Sequence, residues 1–182
     1  MLTRRNMSIQ RTNIVKVAAS AIVNAANETL EGGGGVDGAI HAAAGPLLLG
    51  ACRQFPVKAL KHSTVVDQGR CDVGEVIATK AFEIDSAKYI FHTVAPILSR
   101  EGKENSEHLK LCYRNCLRWA TEMKLDSLAF CCLGTGFYGF PKHLAARLAV
   151  SEAALYPDLT VIFCVYEDID FGYYKDALNE LC

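Results

Sequence analysis

Residues 22–45, IVNAANETLEGGGGVDGAIHAAAG, decide how this chain is read. An apolar run passes through a polar turn into four consecutive glycines, and a stretch with helical spacing follows. Glycines let successive backbone N–H groups converge on an anion, and the helix beyond them adds its positive end. Strand, glycine turn and helix in that order point to an α/β domain with a phosphate-type ligand at the turn.

Two familiar loops are excluded. Residues 33–38, GGGVDG, fit the spacing of a dinucleotide fingerprint, but NAANETLE separates them from the strand. No acidic residue for a ribose follows at the right distance, since that region reads QFPVKALK. The Gly-Lys-Ser/Thr of a nucleotide triphosphate loop is missing altogether.

Outward from the glycines, short β-branched runs alternate with helical patterns. SAIVNAA (20–26), EVIATKAF (75–82), YIFHTVAPI (89–97), SLAFCCL (127–133) and LTVIFCVY (159–166) read as strands covered on both faces, and MSIQRTNIVKV (7–17) adds another. In 106–124, Leu109, Cys112, Cys116, Trp119 and Met123 form one apolar stripe, with Ser106 placed to cap the helix. PKHLAARLAVSEAAL starts on Pro141 in the first turn, and DFGYYKDALNEL closes the chain. After the glycines, Ile40, Ala44, Leu47, Leu48 and Ala51 fall on one side, and Pro46 predicts a kink or two helices meeting at Gly45–Pro46. Residues 99–107 read as a polar surface loop.

With 182 residues, half of them apolar, and no linker or repeat, residues 1–182 are expected to form one domain. The 19 basic and 20 acidic residues nearly cancel, so nothing indicates direct nucleic-acid binding. The N-terminus carries no apolar signal region and no run is long enough for a membrane span, so a cytoplasmic protein is expected. Five of the eight cysteines (Cys112, Cys116, Cys131, Cys132, Cys164) sit in apolar or helical contexts, which suits reduced thiols, and without a CxxC pair no zinc site is expected.

A second glycine loop, GTGFYGFP (134–141), follows a strand and precedes a helix. Two such loops at strand ends suggest a pyrophosphate held between them, with Phe137 or Tyr138 free to pack on a sugar or base. Around the first loop, Asp37 and His41 share a helical face, and Asn24 and Asn27 stand just past a strand. Singly, these are a capping residue, a helical His and turn amides; together, beside an anion cradle, they suit water activation and ribose binding. His92 reads as a satisfied structural histidine, and His62, His108 and His143 as solvated ones.

NAANETLEGGGGVDGAIHAAAGP, FHTVAPI and GTGFYGFP together closely resemble the macrodomain family, in particular its MacroD-type branch, over about residues 8–181. The resemblance implies a three-layer α/β/α fold with a mixed, mostly parallel central sheet and ADP-ribose in a cleft at its crest. It implies a hydrolase that removes mono-ADP-ribose from acidic side chains of proteins or deacetylates O-acetyl-ADP-ribose, without metal or other cofactor and as a monomer. The catalytic set it implies is Asp37, Asn27 and His41. The ligand set is Asn13, Ile14, Asn24, Asn27, Gly33, Gly34, Gly35, Val36, Asp37, Gly134, Thr135, Gly136, Phe137, Tyr138 and Tyr166, with Asn24 serving as scaffolding behind the others. Three positions depart from the family pattern: Asn13 where Asp is usual, Gly134 where Ser is usual, and Ala42 where Arg is frequent. A non-catalytic ADP-ribose reader and a protein-interaction module, such as a ribonuclease regulator, are the alternative readings.

Overall fold

The computed structural model describes residues 2–4, 6–98 and 103–181. Its strands are β1 (Leu2–Arg4), β2 (Met7–Arg11), β3 (Ala19–Ala25), β4 (Lys58–Ala59), β5 (Gln68–Gly69), β6 (Val76–Lys80), β7 (Ala87–Thr93), β8 (Ser127–Phe130) and β9 (Thr160–Val165). Its helices are α1 (Gly35–Ala44), α2 (Pro46–Arg53), α3 (Lys103–Glu122), α4 (Lys142–Ala153) and α5 (Asp168–Glu180), with a turn of 3-10 helix at Ile14–Lys16.

The main sheet runs β1-β2-β9-β8-β3-β7-β6. Its five central strands are mutually parallel, and β1 and β6 close the two edges antiparallel. The sheet is therefore mixed and mostly parallel, between helical layers, as the resemblance implies. A parallel arrangement carries the C-terminal ends of β2, β9, β8, β3 and β7 to one edge, where loops meet helix N-termini.

Register assigns the two faces. Val23 pairs with Phe91 and Phe130, and Phe130 with Phe163, so these side chains share one face. Helix α3 covers that face: the Trp119 ring meets Phe91 edge-on at 6.3 Å, and Tyr113 lies 5.0 Å from Phe130. Tyr174 of α5 packs on Phe163 at 4.9 Å. Phe91, Phe130 and Phe163 are essentially sealed from solvent, and each such burial contributes roughly 1.5–3 kcal/mol. Arg114 of α3 grips the buried carboxylate of Glu152 on α4 through two hydrogen bonds of 3.0 and 2.9 Å. The opposite face carries Asn24 and His92, opposed across β3 and β7, and there α1 and α2 sit.

Several sequence expectations shift. The chain bends by 108° between α1 and α2 at Gly45–Pro46, so Leu47 leaves the shared stripe and is 64% exposed while Ile40, Ala44 and Leu48 stay buried. Ser106 lies inside α3, which starts by Lys103, and so cannot be its cap. The surface loop expected at 99–107 is thus helical from 103 onward, and residues 99–102 lie outside the described residues. Pro141 is the residue capping α4 rather than its first helical residue. The strand read over 127–133 stops at Phe130, where the second glycine loop begins to turn. His62 is exposed, as expected, and its ring packs at 4.9 Å on that of His108, which is only partly exposed. All seven described cysteines are free, and only Cys132 is not fully buried. No single helix among the described residues is long and apolar enough to cross a membrane.

Candidate active site

Strand β3 ends at Ala25, and the turn that follows is built by Asn27. Its Oδ1 accepts from Leu30 N (3.0 Å) and Thr29 Oγ1 (2.9 Å), while its Nδ2 donates to Gly32 O at 2.9 Å. One side chain therefore folds residues 27–32 into a support for the glycines. Gly32 takes φ +84°, a left-handed angle that glycine adopts without strain. Gly33 and Gly34 form the loop proper, and Gly35 and Val36 already belong to the first turn of α1, with Gly34 as its cap.

Asp37 lies in that first turn, yet no side-chain hydrogen bond caps the helix. Its carboxylate turns inward instead. Asn24 Nδ2 donates to Asp37 Oδ1 at 2.6 Å, and His41 Nε2 lies 3.5 Å from the same oxygen, one helical turn on. A methyl placed on Gly33 would stand 3.1 Å from Asp37 Oδ2 and 3.4 Å from Asn27 Nδ2, so carboxylate and amide converge on one small volume over Gly33. A hollow of about 490 Å³ opens beside it, lined by Gly33, Gly38, His41, Ala42 and Pro46 among others.

Burial holds the Asp37 carboxyl above the usual carboxylate range, against the opposing pulls of the Asn24 hydrogen bond and the His41 ring. A group that binds its proton more tightly in the folded chain favours folding in acid, and that contribution is lost as pH rises through the folded value. Ionised Asp37 therefore costs stability at neutral pH. Asp37→Asn, which keeps the shape and an acceptor for Asn24, is expected to melt higher than wild type at pH 7. The gain should shrink to nothing as the pH is lowered below about 3, under the ordinary aspartate value of 3.8, where Asp37 is protonated in both the folded and the unfolded chain. Melting curves across that range check it.

The second loop lies next in the sheet, after β8. Gly134 is buried at φ +76°, which suits glycine where the family pattern has Ser. Phe140 N returns to Gly134 O at 2.9 Å, and Thr135 Oγ1 is spent on Cys132 O at 3.0 Å, so that hydroxyl shapes the loop. Gly136 is exposed and Phe137 is 98% exposed. Tyr138 is half-buried, and its hydroxyl is pushed up first by burial and then by the negative charges of Glu28 and Asp37.

At the far end of the same edge, beyond β9 and β2, stand Tyr166, 83% exposed, and Asn13. Arg11 pairs with Val165, which brings these two positions together, roughly three strand spacings or 14 Å from β3. Asn13 Oδ1 caps the 3-10 turn, accepting from Val15 N at 3.2 Å. The structure narrows two of the implied ligand residues, Ile14 to its backbone and Asn24 to the scaffolding role expected of it. Ile14 is 2% exposed with its side chain in the core, so only its backbone faces the edge. Asn24 is wholly buried under Asp37 and out of reach of any ligand; it orients the carboxylate. His92, read from the sequence as a satisfied structural histidine, is buried and its ring meets Asn24 from behind at 3.1 Å, a link that no local sequence pattern signals. Among the described residues no group of three or more His, Cys, Asp or Glu side chains is arranged to hold a metal ion.

The Macro domain family model matches residues 23–149. A macro domain-containing protein of Ralstonia nicotianae is 43% identical over 93% of this chain and 92% of its own length. The ADP-ribose glycohydrolase MACROD2 of Xenopus laevis is 39% identical over 96% of this chain, which spans only 40% of that longer protein. Among solved structures, the Oceanobacillus iheyensis macrodomain with ADP superposes with a TM-score of 0.85 at 36% identity, covering 96% of this chain and 90% of that one.

Proposed function

The chain belongs to the Macro domain family, and from that premise we propose that it binds ADP-ribose along the C-terminal edge of its sheet and hydrolyses the bond linking ADP-ribose to an acyl group. The acyl group is an acidic side chain of a modified protein or the acetyl of O-acetyl-ADP-ribose. In this reading the pyrophosphate lies between Gly33–Val36 and Gly134–Tyr138, with the positive end of α1 directed at it. The distal ribose sits over Asn27 and Asp37, and the adenine reaches the Asn13, Ile14 backbone and Tyr166 end. The roughly 14 Å between the two ends of the edge fits an extended dinucleotide-like ligand.

The observation that carries hydrolysis is the buried carboxylate of Asp37, held by Asn24 at 2.6 Å and converging with the Asn27 amide over Gly33. Binding alone does not require a desolvated anion there. A general base does, because a carboxyl held above its usual range takes a proton from water more readily. Asp37 removes a proton from a water positioned between it and the phosphates. The water oxygen bonds to carbon as the ester C–O bond breaks, and the departing group takes up a proton. ADP-ribose and a free carboxylic acid result. The two loops supply most of the positioning, and His41 steadies the carboxylate.

The test is release of ADP-ribose from a protein mono-ADP-ribosylated on acidic side chains, and of acetate from O-acetyl-ADP-ribose, beside calorimetric binding of ADP-ribose. Release from either substrate is the expected result; binding without release from both would make the protein a reader. The pH profile adds a second check. Activity should fall in acid with its midpoint above the ordinary aspartate value of 3.8, since burial raises Asp37. Seven free thiols among the described residues support the reducing, cytosolic setting we propose for this activity.

A further inference from the structure

Behind Asp37 lies a chain of polar side chains that the hydrolytic reading does not use. His92 stands opposite Asn24 in the β3–β7 register, and its Nδ1 is 3.1 Å from Asn24 Nδ2. On the next strand, β6, Ile77 is the partner of His92, and Thr79, two residues on, points to the same face. Thr79 Oγ1 lies 3.0 Å from His92 Nε2. Asn24, His92 and Thr79 are all buried.

We propose that His92 and Thr79 are positioning residues for Asp37, fixing through the His92 tautomer which end of the Asn24 amide faces the carboxylate.

The argument is one of donors and acceptors. The ionised Asp37 oxygen can only accept, so Asn24 must present its nitrogen to it. That same nitrogen also faces His92 Nδ1, so Nδ1 carries no proton and accepts the second amide hydrogen. His92 is neutral, its pKa pushed down to about 3 by burial and then by the nearby His41, so its single ring proton sits on Nε2. Nε2–H then needs an acceptor, and Thr79 Oγ1 supplies it. Cys52 Sγ, 4.0 Å from the same nitrogen, is a much weaker one. Asn24 Oδ1, meanwhile, is buried with no hydrogen-bond partner among the described residues, so the protein holds the amide by its nitrogen. Its orientation is set from the nitrogen side alone, by Asp37 and His92.

Without the Thr79 hydroxyl, Nε2–H loses its acceptor and the ring favours the other tautomer, with the proton on Nδ1. Two donors then face each other across 3.1 Å, and the amide rotates to relieve them. Rotation sets a carbonyl oxygen against the Asp37 carboxylate, which loses its donor and gains a repulsive neighbour. The groups packed around this cluster that can carry charge are Asp37 and His41 on α1 and Cys52 on α2.

The proposal rests on the reading of Asp37 as the general base, and the experiment separates the two. Thr79→Val preserves shape and removes only the hydroxyl; Thr79→Ala serves if Val crowds the site; Thr79→Ser restores the acceptor. Two quantities are followed in each: the Asp37 carboxyl titration by carbon NMR without substrate, and turnover with ADP-ribose affinity. In Thr79→Val the Asp37 titration is expected to move upward, turnover to fall about tenfold, and ADP-ribose affinity to stay within about twofold, with Thr79→Ser returning all to wild type. Nitrogen NMR should show the His92 proton moving from Nε2 to Nδ1. An upward Asp37 titration in a protein that never turns over would sustain the relay and sink the hydrolase. An unchanged titration and tautomer in Thr79→Val and Thr79→Ala would overturn the relay.

Discussion

Asp37→Ala is expected to lose hydrolysis by roughly 100–10,000-fold while still binding ADP-ribose, because it removes the base and leaves both glycine loops in place. The substitution takes away a buried carboxylate whose one strong partner is Asn24, and it touches no backbone contact of the loop. Affinity should therefore change little or rise slightly, as the negative charge facing a diphosphate is gone. Single-turnover release from a mono-ADP-ribosylated protein, with binding by calorimetry, measures both. Hydrolysis at near wild-type rate would remove Asp37 from the mechanism and turn attention to Asn27 and His41, which share its small volume.

Gly38→Ala is expected to damage ligand binding through a single methyl group. An added Cβ would stand 2.6 Å from the carbonyl oxygen of Gly33, and since that atom is backbone the loop itself must move. Overpacking of this kind costs roughly 1–3 kcal/mol, which as lost affinity corresponds to about 5- to 150-fold. Gly50→Ala is the matched control: its Cβ would meet nothing within 4 Å, and Gly50 lies in α2, outside both glycine loops. ADP-ribose titrations of the two variants should differ by at least about fivefold. Equal affinities would mean that the first loop does not hold the phosphates.

Much of this architecture could be read in the chain before its structure. The central strands announce themselves because parallel strands covered on both faces are continuous apolar runs, and the Gly45–Pro46 break follows from proline's missing N–H. The helix start at Lys103 was hidden by composition, since KENSE is as polar as a loop and helical only through its continuity with the stripe that follows. At the site, Asp37 and His41 were legible as an i, i+4 pair beside glycines. Whether each side chain faced ligand or core was not. Asn24 and Asn27 look alike in NAAN, yet strand alternation sends the first beneath the carboxylate, while the second folds the turn. Ile14 was assigned by position in a motif, and only packing shows its side chain turned away. His92 and Thr79 lie 68 and 55 residues beyond Asn24 and become its neighbours only through the β3–β7–β6 pairing, which no local pattern encodes.

That pairing order also carries a history of assembly. The Asp37 cluster draws on residues 24–92 alone, so its parts exist once synthesis has passed β7. The far end of the edge must wait longer: Arg11 pairs with Val165, and β2 joins the sheet only through β9. A nascent chain thus holds the parts of the Asp37 cluster before it can assemble the Asn13 and Tyr166 end, and β2, made before the glycine loops, joins the sheet after them.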